Sequence, residues 1–385
     1  MKEKILFING HLNTGGVEKS LLDILQHIDY NKYDVDLLLL EELGDYASEL
    51  PKNVRVNLRS LKNTYGTAIR SLLQCIHKRD WFCFRMRLIF ILMKFFGQER
   101  IRLARKLLTG NRYYDCVIGF RSGICTQIAA FAVDADRRIT WWHHGEINVI
   151  HDSYFEAVDL CDKIAVVSNS CRSMLTSEFP SFTAKMVIIP NMVDIDAIKN
   201  KAAAYMPYQK HVLNIVTVGR LSPEKHIENA IYAAKLLKES GIAFFWHLIG
   251  SGNAKTDLFK TAKEAGVTDC FIFEGNQPNP YPYLKHADLF VHPSYVESQG
   301  LVVLEAMALG VPCVVTRSLG PCEFIVDGVN GVLTEQSPES LAEKVLDILT
   351  DRALYERIKA NTRCPEQFAP DNVMQKIELI LEDKQ

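Results

Sequence analysis

Glu297 and Glu305 stand eight residues apart in a segment that passes from Ser298 and Gln299 through Gly300 into the apolar run Leu301–Leu304. The apolar run ending at His292 reads as a strand, a turn then carries Glu297, and a helix begins near Gly300. Unpaired amides at a helix start, together with the positive end of its dipole, suit a phosphate or a sugar hydroxyl. Glu305, over a turn into that helix, is placed to accept from paired hydroxyls such as those of a ribose; the plainer alternative is two solvated glutamates at a helix start. Near the N-terminus, Gly15-Gly16 follows an apolar run and precedes a helical period, so backbone amides there can approach a phosphate closely, or the pair is an ordinary turn. Trp141-Trp142-His143-His144-Gly145-Glu146 closes another strand, and its histidines are either catalytic or structural.

These residues must be positioned by strands and helices, and the sequence spaces them for that. Short apolar runs at Ile5–Ile8, Tyr33–Leu40, Cys116–Phe120, Arg138–Trp142, Lys163–Val167 and Lys185–Ile189 alternate with helical stretches such as Glu18–Ile28. That pattern predicts a parallel sheet covered by helices on both faces. After Pro190-Asn191-Met192-Val193-Asp194 it restarts: strands at Leu213–Val218, Phe244–Ile249, Phe271–Glu274, Leu289–His292, Val311–Thr316 and Gly331–Leu333, with a helix over Ile227–Ser240. The expected fold class is α/β with two consecutive doubly wound, Rossmann-like domains and a cleft between the carboxyl ends of their strands. Residues 1–190 form the first, 191–365 the second, and a C-terminal helix within 366–385 packs back on the first.

The chain has 385 residues, 48% hydrophobic and 23% charged, which excludes disorder as its main state and allows about two domains. Its net charge of -2 gives no reason to expect nucleic-acid binding. The charge is unevenly spread, however: residues 70–106 hold ten basic side chains against Asp80 and Glu99, a local +8 that leaves -10 for the remainder. Within that stretch Trp81–Phe96 is too short and too charged to span a bilayer. Trp81, Phe84, Leu88, Ile91 and Phe95 share one helical face, so the segment is either a peripheral contact with anionic membrane or a buried helix with basic edges. Ten scattered cysteines form no zinc or disulfide pattern, and the N-terminal apolar run is too short for a secretory signal. A cytoplasmic protein is expected, with a possible station on the inner face of the plasma membrane.

Glu297 and Glu305 with Ala306-Met307-Ala308-Leu309-Gly310-Val311-Pro312, the upstream Gly219-Arg220-Leu221-Ser222-Pro223-Glu224-Lys225 and the junction Asn191-Met192-Val193-Asp194 together resemble the family-4 retaining glycosyltransferases of GT-B fold, the glycosyl transferases group 1. Similarity extends from Gly15-Gly16-Val17-Glu18 to Gly328-Val329-Asn330-Gly331. The resemblance implies that Arg220 and Lys225 neutralise the donor diphosphate, Glu305 holds the nucleotide ribose, Glu297 lies near the donor sugar, and the amides of Ser298, Gln299, Gly300 and Leu301 grip sugar and phosphate. It implies that His144 stands near the reacting sugar with His143 as support, and that Gly15 and Gly16 contact the diphosphate. One departure is plain: the family commonly has Phe-Gly where this chain has Gln299-Gly300, which predicts a more polar wall beside the donor sugar.

The implied activity is metal-independent hexosyl transfer from a nucleoside-diphosphate sugar, UDP-linked by preference, to a hydroxyl of a glycan or lipid-linked acceptor in cell-surface polysaccharide assembly, such as capsule or exopolysaccharide. No cofactor and no nucleic acid are expected. Three Asp-x-Asp pairs, Asp34/Asp36, Asp134/Asp136 and Asp194/Asp196, have the form of a metal site. The first opens a strand, the wrong end for ligands in an open α/β sheet. A nucleotide-sugar epimerase and a non-catalytic membrane-associated partner subunit are the alternatives; the first would change a sugar without any acceptor.

Overall fold

A computed structural model describes residues 2–146, 152–208 and 212–382. The chain divides into two compact units, one of Met1–Pro190 with Val373–Gln385 and one of Asn191–Asn372.

The first unit is built on strands β1 (Glu3–Asn9), β2 (Tyr33–Leu39), β3 (Arg55–Leu58), β4 (Tyr113–Gly119), β5 (Asp134–Trp142), β6 (Lys163–Val166) and β7 (Met186–Ile188). All pair in parallel in the order β3-β2-β1-β4-β5-β6-β7. The central strands are near-continuous apolar runs because helices cover both of their faces. β3 has no such run: it is a four-residue edge strand, Arg-Val-Asn-Leu, with Val56 and Leu58 exposed, and periodicity does not announce it. β5 begins four residues before its apolar run, its half-exposed start pairing with β4.

The second unit carries β8 (Leu213–Val218), β9 (Phe244–Ile249), β10 (Phe271–Gly275), β11 (Leu289–His292), β12 (Cys313–Thr316) and β13 (Val332–Thr334) in the parallel order β10-β9-β8-β11-β12-β13. Two apolar clusters cover this sheet, one built on Trp246, Phe271 and the helix Ile227–Glu239, the other on Phe290 and the helix Leu301–Ala308. In each unit the order reverses beside the first strand, between β1 and β4 and between β8 and β11. Open α/β sheets bind ligands outside the carboxyl ends of their strands at such switch points.

The last described helix, Pro370–Glu382, buries Val373, Met374, Ile377, Ile380 and Leu381. Within the first unit Lys32 Nζ donates to Glu378 at 3.1 Å and the Tyr33 hydroxyl to Glu382 at 3.1 Å. Residues 383–385, the end of the expected terminal segment, lie outside the described residues, as do 147–151 of the first expected domain and 209–211 of the second.

Candidate functional site

In the second unit the loop after β8 and the loop after β11 are stitched together. The Glu224 carbonyl accepts from the Tyr295 amide and from Ser294 Oγ, both at 3.2 Å, and the His226 ring stacks on Tyr295 with centroids 3.4 Å apart. This brings Lys225 to Glu297, the two forming an ion pair through Glu297 Oε1. His292 Nε2 donates to the same oxygen at 2.7 Å. Burial alone raises the Glu297 pKa, but the Lys225 charge and the His292 hydrogen bond outweigh it and hold the carboxyl well below the usual range. Glu297 is therefore an anion at any physiological pH, gripped by two donors. Arg220 lies exposed on the same loop as Lys225, so a fixed cation faces solvent where Lys225 is already engaged. Glu305 is buried in the helix Leu301–Ala308, where the Tyr281 hydroxyl donates to it at 2.8 Å.

Gln299 corrects an expectation. Its side chain is not a polar wall beside a sugar: it is 2% exposed, accepts from the Asn191 amide at 2.7 Å and donates to the Asn191 carbonyl at 3.0 Å. Both ends of the amide are used, as a peptide group would be in a sheet. Asn191 is the first residue of the second unit, so the linker's arrival is tied to the loop that bears Glu297.

Sequence reading also missed what lies under these loops. A Cβ on Gly320 would lie 2.3 Å from the Gln299 Cα, and the Gly320 amide donates to the Glu297 carbonyl at 3.0 Å. A Cβ on Gly252 would lie 2.1 Å from the Leu221 carbonyl oxygen, so the Arg220 loop rests directly on the backbone after β9. The sequence signal, had it been followed, was glycine on loops beyond two strand ends. Of the other expected contacts, Ser298 and Leu301 are half-buried and Gly300 is buried at the helix start.

The first unit gathers a different set at its switch point. Gly15 and Gly16 open the helix Gly16–His27, and a Cβ on Gly16 would meet nothing within 4 Å. Glu18, 2% exposed, lies 3.7 Å from His11 Nδ1 and 3.8 Å from Arg121 Nη1, while Arg121 Nη1 donates to His11 Nε2 at 3.0 Å. After β5, His144 Nε2 is in hydrogen-bond contact with Ser122 Oγ at 2.6 Å, and the Trp142 indole donates to the His144 carbonyl at 2.7 Å. Burial, then the nearby Arg121 charge, keep the His144 pKa below its ordinary value. His143 is stacked parallel to Trp141 and packed on Phe120. Burial and the neighbouring His144 push its pKa down to about 3, and its Nε2 has no hydrogen-bond partner among the described residues. His11, Glu18, Arg121 and Ser122 were not singled out by sequence reading. Their partners converge from the ends of β1 and β4, over a hundred residues apart.

The Asp-x-Asp pairs have structural employment. Arg55 and Arg112 bind both Asp34 and Asp36, and Tyr114 also donates to Asp36. Asp134 is paired with Arg105 and Asp136 accepts from Tyr113. Asp194 caps the helix Ile195–Ala202, accepting from the Ala197 amide at 2.9 Å.

Residues 208–364 match the family model described as glycosyl transferases group 1. The lipopolysaccharide core biosynthesis glycosyltransferase LpsE of Rhizobium meliloti is 34% identical over 145 residues, 37% of this chain and 42% of that protein. The chain spans less than half the length of the first curated relatives it matches. Among solved structures, HepE of Anabaena in complex with UDP and glucose superposes with a TM-score of 0.73 at 17% identity, covering 99% of this chain and 100% of that one. TarM of S. aureus, as a mutant in complex with fondaparinux, alpha-GlcNAc-glycerol and UDP, gives 0.73 at 15% identity with the same coverage. These likenesses show the fold, two Rossmann-like parallel sheets of the GT-B type. The matched segment, 208–364, holds Arg220, Lys225, Glu297 and Glu305.

Proposed function

We propose that this protein is a retaining glycosyltransferase that moves a hexosyl group from a nucleoside-diphosphate sugar, UDP-linked in our reading, to a hydroxyl of a glycan or lipid-linked acceptor in cell-surface polysaccharide synthesis. The observation that carries this is Lys225 and His292 converging on Glu297, with Arg220 exposed beside them, at the switch point of the matched domain. HepE and TarM, structures of the same fold, are complexes with UDP, and LpsE acts in lipopolysaccharide core biosynthesis.

In this reading Glu305 receives the ribose hydroxyls and Glu297 the donor sugar, while Arg220 and a remaining Lys225 N–H hold the diphosphate. The bond from the anomeric carbon to the phosphate oxygen breaks as the acceptor oxygen bonds on the same face. The acceptor proton passes to the leaving phosphate, whose charge the two cations stabilise, so neither a carboxylate base nor a metal is required. His144, kept neutral, offers its ring to a hydroxyl of the reacting sugar.

Calorimetric titration with UDP, GDP and ADP in the presence of a chelator tests the donor site. Binding of UDP alone supports the reading; binding of none overturns it. Product analysis with donor alone distinguishes an epimerase, which would release a changed sugar.

A further inference from the structure

The helices Ala68–His77 and Trp81–Phe96 pack against each other in the first unit, and their two sides are unlike. The longer helix turns Cys83, Met86, Ile89 and Met93 inward, where Met86, Ile89 and Met93 join Leu6, Leu38 and Val117 of the sheet in one apolar cluster. Its other stripe faces out: Trp81 is 59% exposed, Leu88 43% and Phe95 71%. On the shorter helix Ile69, Leu73 and Ile76, spaced to share a face, are 75%, 61% and 48% exposed. Each helix of the pair thus presents a stripe of large apolar side chains to solvent, more than single scattered exposures.

The charge on this surface has one sign. Arg70, Arg79, Arg85 and Lys94 are all exposed and none forms an ion pair among the described residues. The acids are occupied: Asp80 caps the longer helix, accepting from the Cys83 amide at 2.9 Å and from Asn63 at 2.8 Å, and Glu99 is paired with Arg100.

We propose that this helix pair docks the protein on an anionic lipid bilayer. Aliphatic and aromatic side chains enter the headgroup region while arginine and lysine meet lipid phosphates, the combination that holds an amphipathic helix in the interface plane. A second copy of the chain is a poor occupant, since two faces of like charge would be apposed. A nucleic acid is poorer still, because the rings of Trp81 and Phe95 are accompanied by the aliphatic side chains of Ile69, Leu73, Ile76 and Leu88, which offer bases nothing to stack on. No helix among the described residues is long and apolar enough to cross a membrane, so docking rather than spanning is the mode. The proposal deepens the transfer reading, which gives docking its use by placing a lipid-linked acceptor within reach.

Sedimentation with phosphatidylglycerol-containing vesicles, against pure phosphatidylcholine vesicles at low salt, tests it without nucleotide or acceptor. Its failure therefore leaves the transfer reading standing. The protein is expected to pellet at least about tenfold more with the anionic vesicles, several-fold less in 0.5 M salt. Ile69→Ser with Leu73→Ser and Phe95→Ser is expected to lower that binding about tenfold while leaving the circular dichroism melt unchanged. Should that triple variant fail to fold, Arg85→Glu with Lys94→Glu is expected to give a similar loss. Equal pelleting with and without anionic vesicles overturns the proposal, as does unchanged binding by a folded variant. Self-association of the native protein that the substitutions abolish would also overturn it, making the face a contact between copies.

Discussion

The two units run their strands in the same order around the same kind of switch point, yet they fill it in opposite ways. In the second unit the charged groups are paired in advance: Lys225, His292 and Glu297 share one oxygen, and the loop that carries them is held by Tyr295, Gly320 and Gln299. In the first unit His143 and His144 have lowered pKa values and Gly16 faces open space. In the proposed transfer, the difference is that between stabilising a charge and receiving a shape. Charge developing on a leaving diphosphate would be best met by dipoles and cations that need not reorganise, whereas an acceptor would be met by a surface whose details vary.

The sharpest way to break this comparison is to remove one cation from the prepared set. Lys225→Ala leaves Glu297 with His292 as its remaining partner and, in the proposed reading, takes away a donor to the diphosphate. Turnover is expected to fall roughly a hundred- to a thousandfold in a steady-state assay. Near-normal turnover would sink the idea that the second unit supplies the electrostatics.

Gly320→Ala tests whether the loop is as rigid as its contacts imply. The new methyl would meet the Gln299 backbone at 2.3–2.7 Å, where no flexible side chain can yield. A loss of up to about 3 kcal/mol in denaturant unfolding, with weaker nucleotide binding, is expected. Unchanged stability and affinity would show a loop free to shift.

How far the sequence disclosed all this differs by region and for physical reasons. Buried parallel strands carry their signal in their own composition, so β8, β9 and β11 have the bounds expected, while the exposed edge strand β3 has no apolar run to display. Lys225, named through the family resemblance, and Glu297 do meet, although 72 residues separate them and neither residue type names its partner. Gln299 was misread because its partner is backbone, 108 residues away, and a main-chain partner leaves no trace in residue type. The helix Trp81–Phe96 is apolar on nearly every side, so periodicity did not tell which stripe faces the core.

Gln299→Met separates the clamp from the size of the side chain. Methionine fills the volume but makes neither bond, leaving the Asn191 amide and carbonyl, at a residue 9% exposed, without those partners. About 2 kcal/mol of stability is expected to be lost, with faster hydrogen exchange at the Asn191 amide. Gln299→Glu keeps an acceptor for the amide but no donor for the carbonyl, and should recover slow exchange at Asn191 in part. Exchange at Asn191 indifferent to both substitutions would show that the linker is held by something else.

The last expected effect lies in the first unit and depends on pH. With its pKa near 3 in the folded protein and near 6.5 when unfolded, His143 takes up a proton on unfolding anywhere between those values. Stability at this position is therefore complete above about pH 6.5 and declines as pH falls, by about 1.4 kcal/mol per unit once well below 6.5. His143→Phe keeps the stack on Trp141 and Phe120 but has nothing to protonate, so its unfolding free energy should depend less on pH between 6.5 and 4 than that of the native protein. Urea titrations at pH 7.5, 5.5 and 4.5 read the difference directly. Parallel curves for the two proteins would mean that His143 is as easily charged when folded as when unfolded. The first unit would then hold a second cation besides Arg121 at its strand ends, and the contrast with the paired charges of the second unit would weaken there.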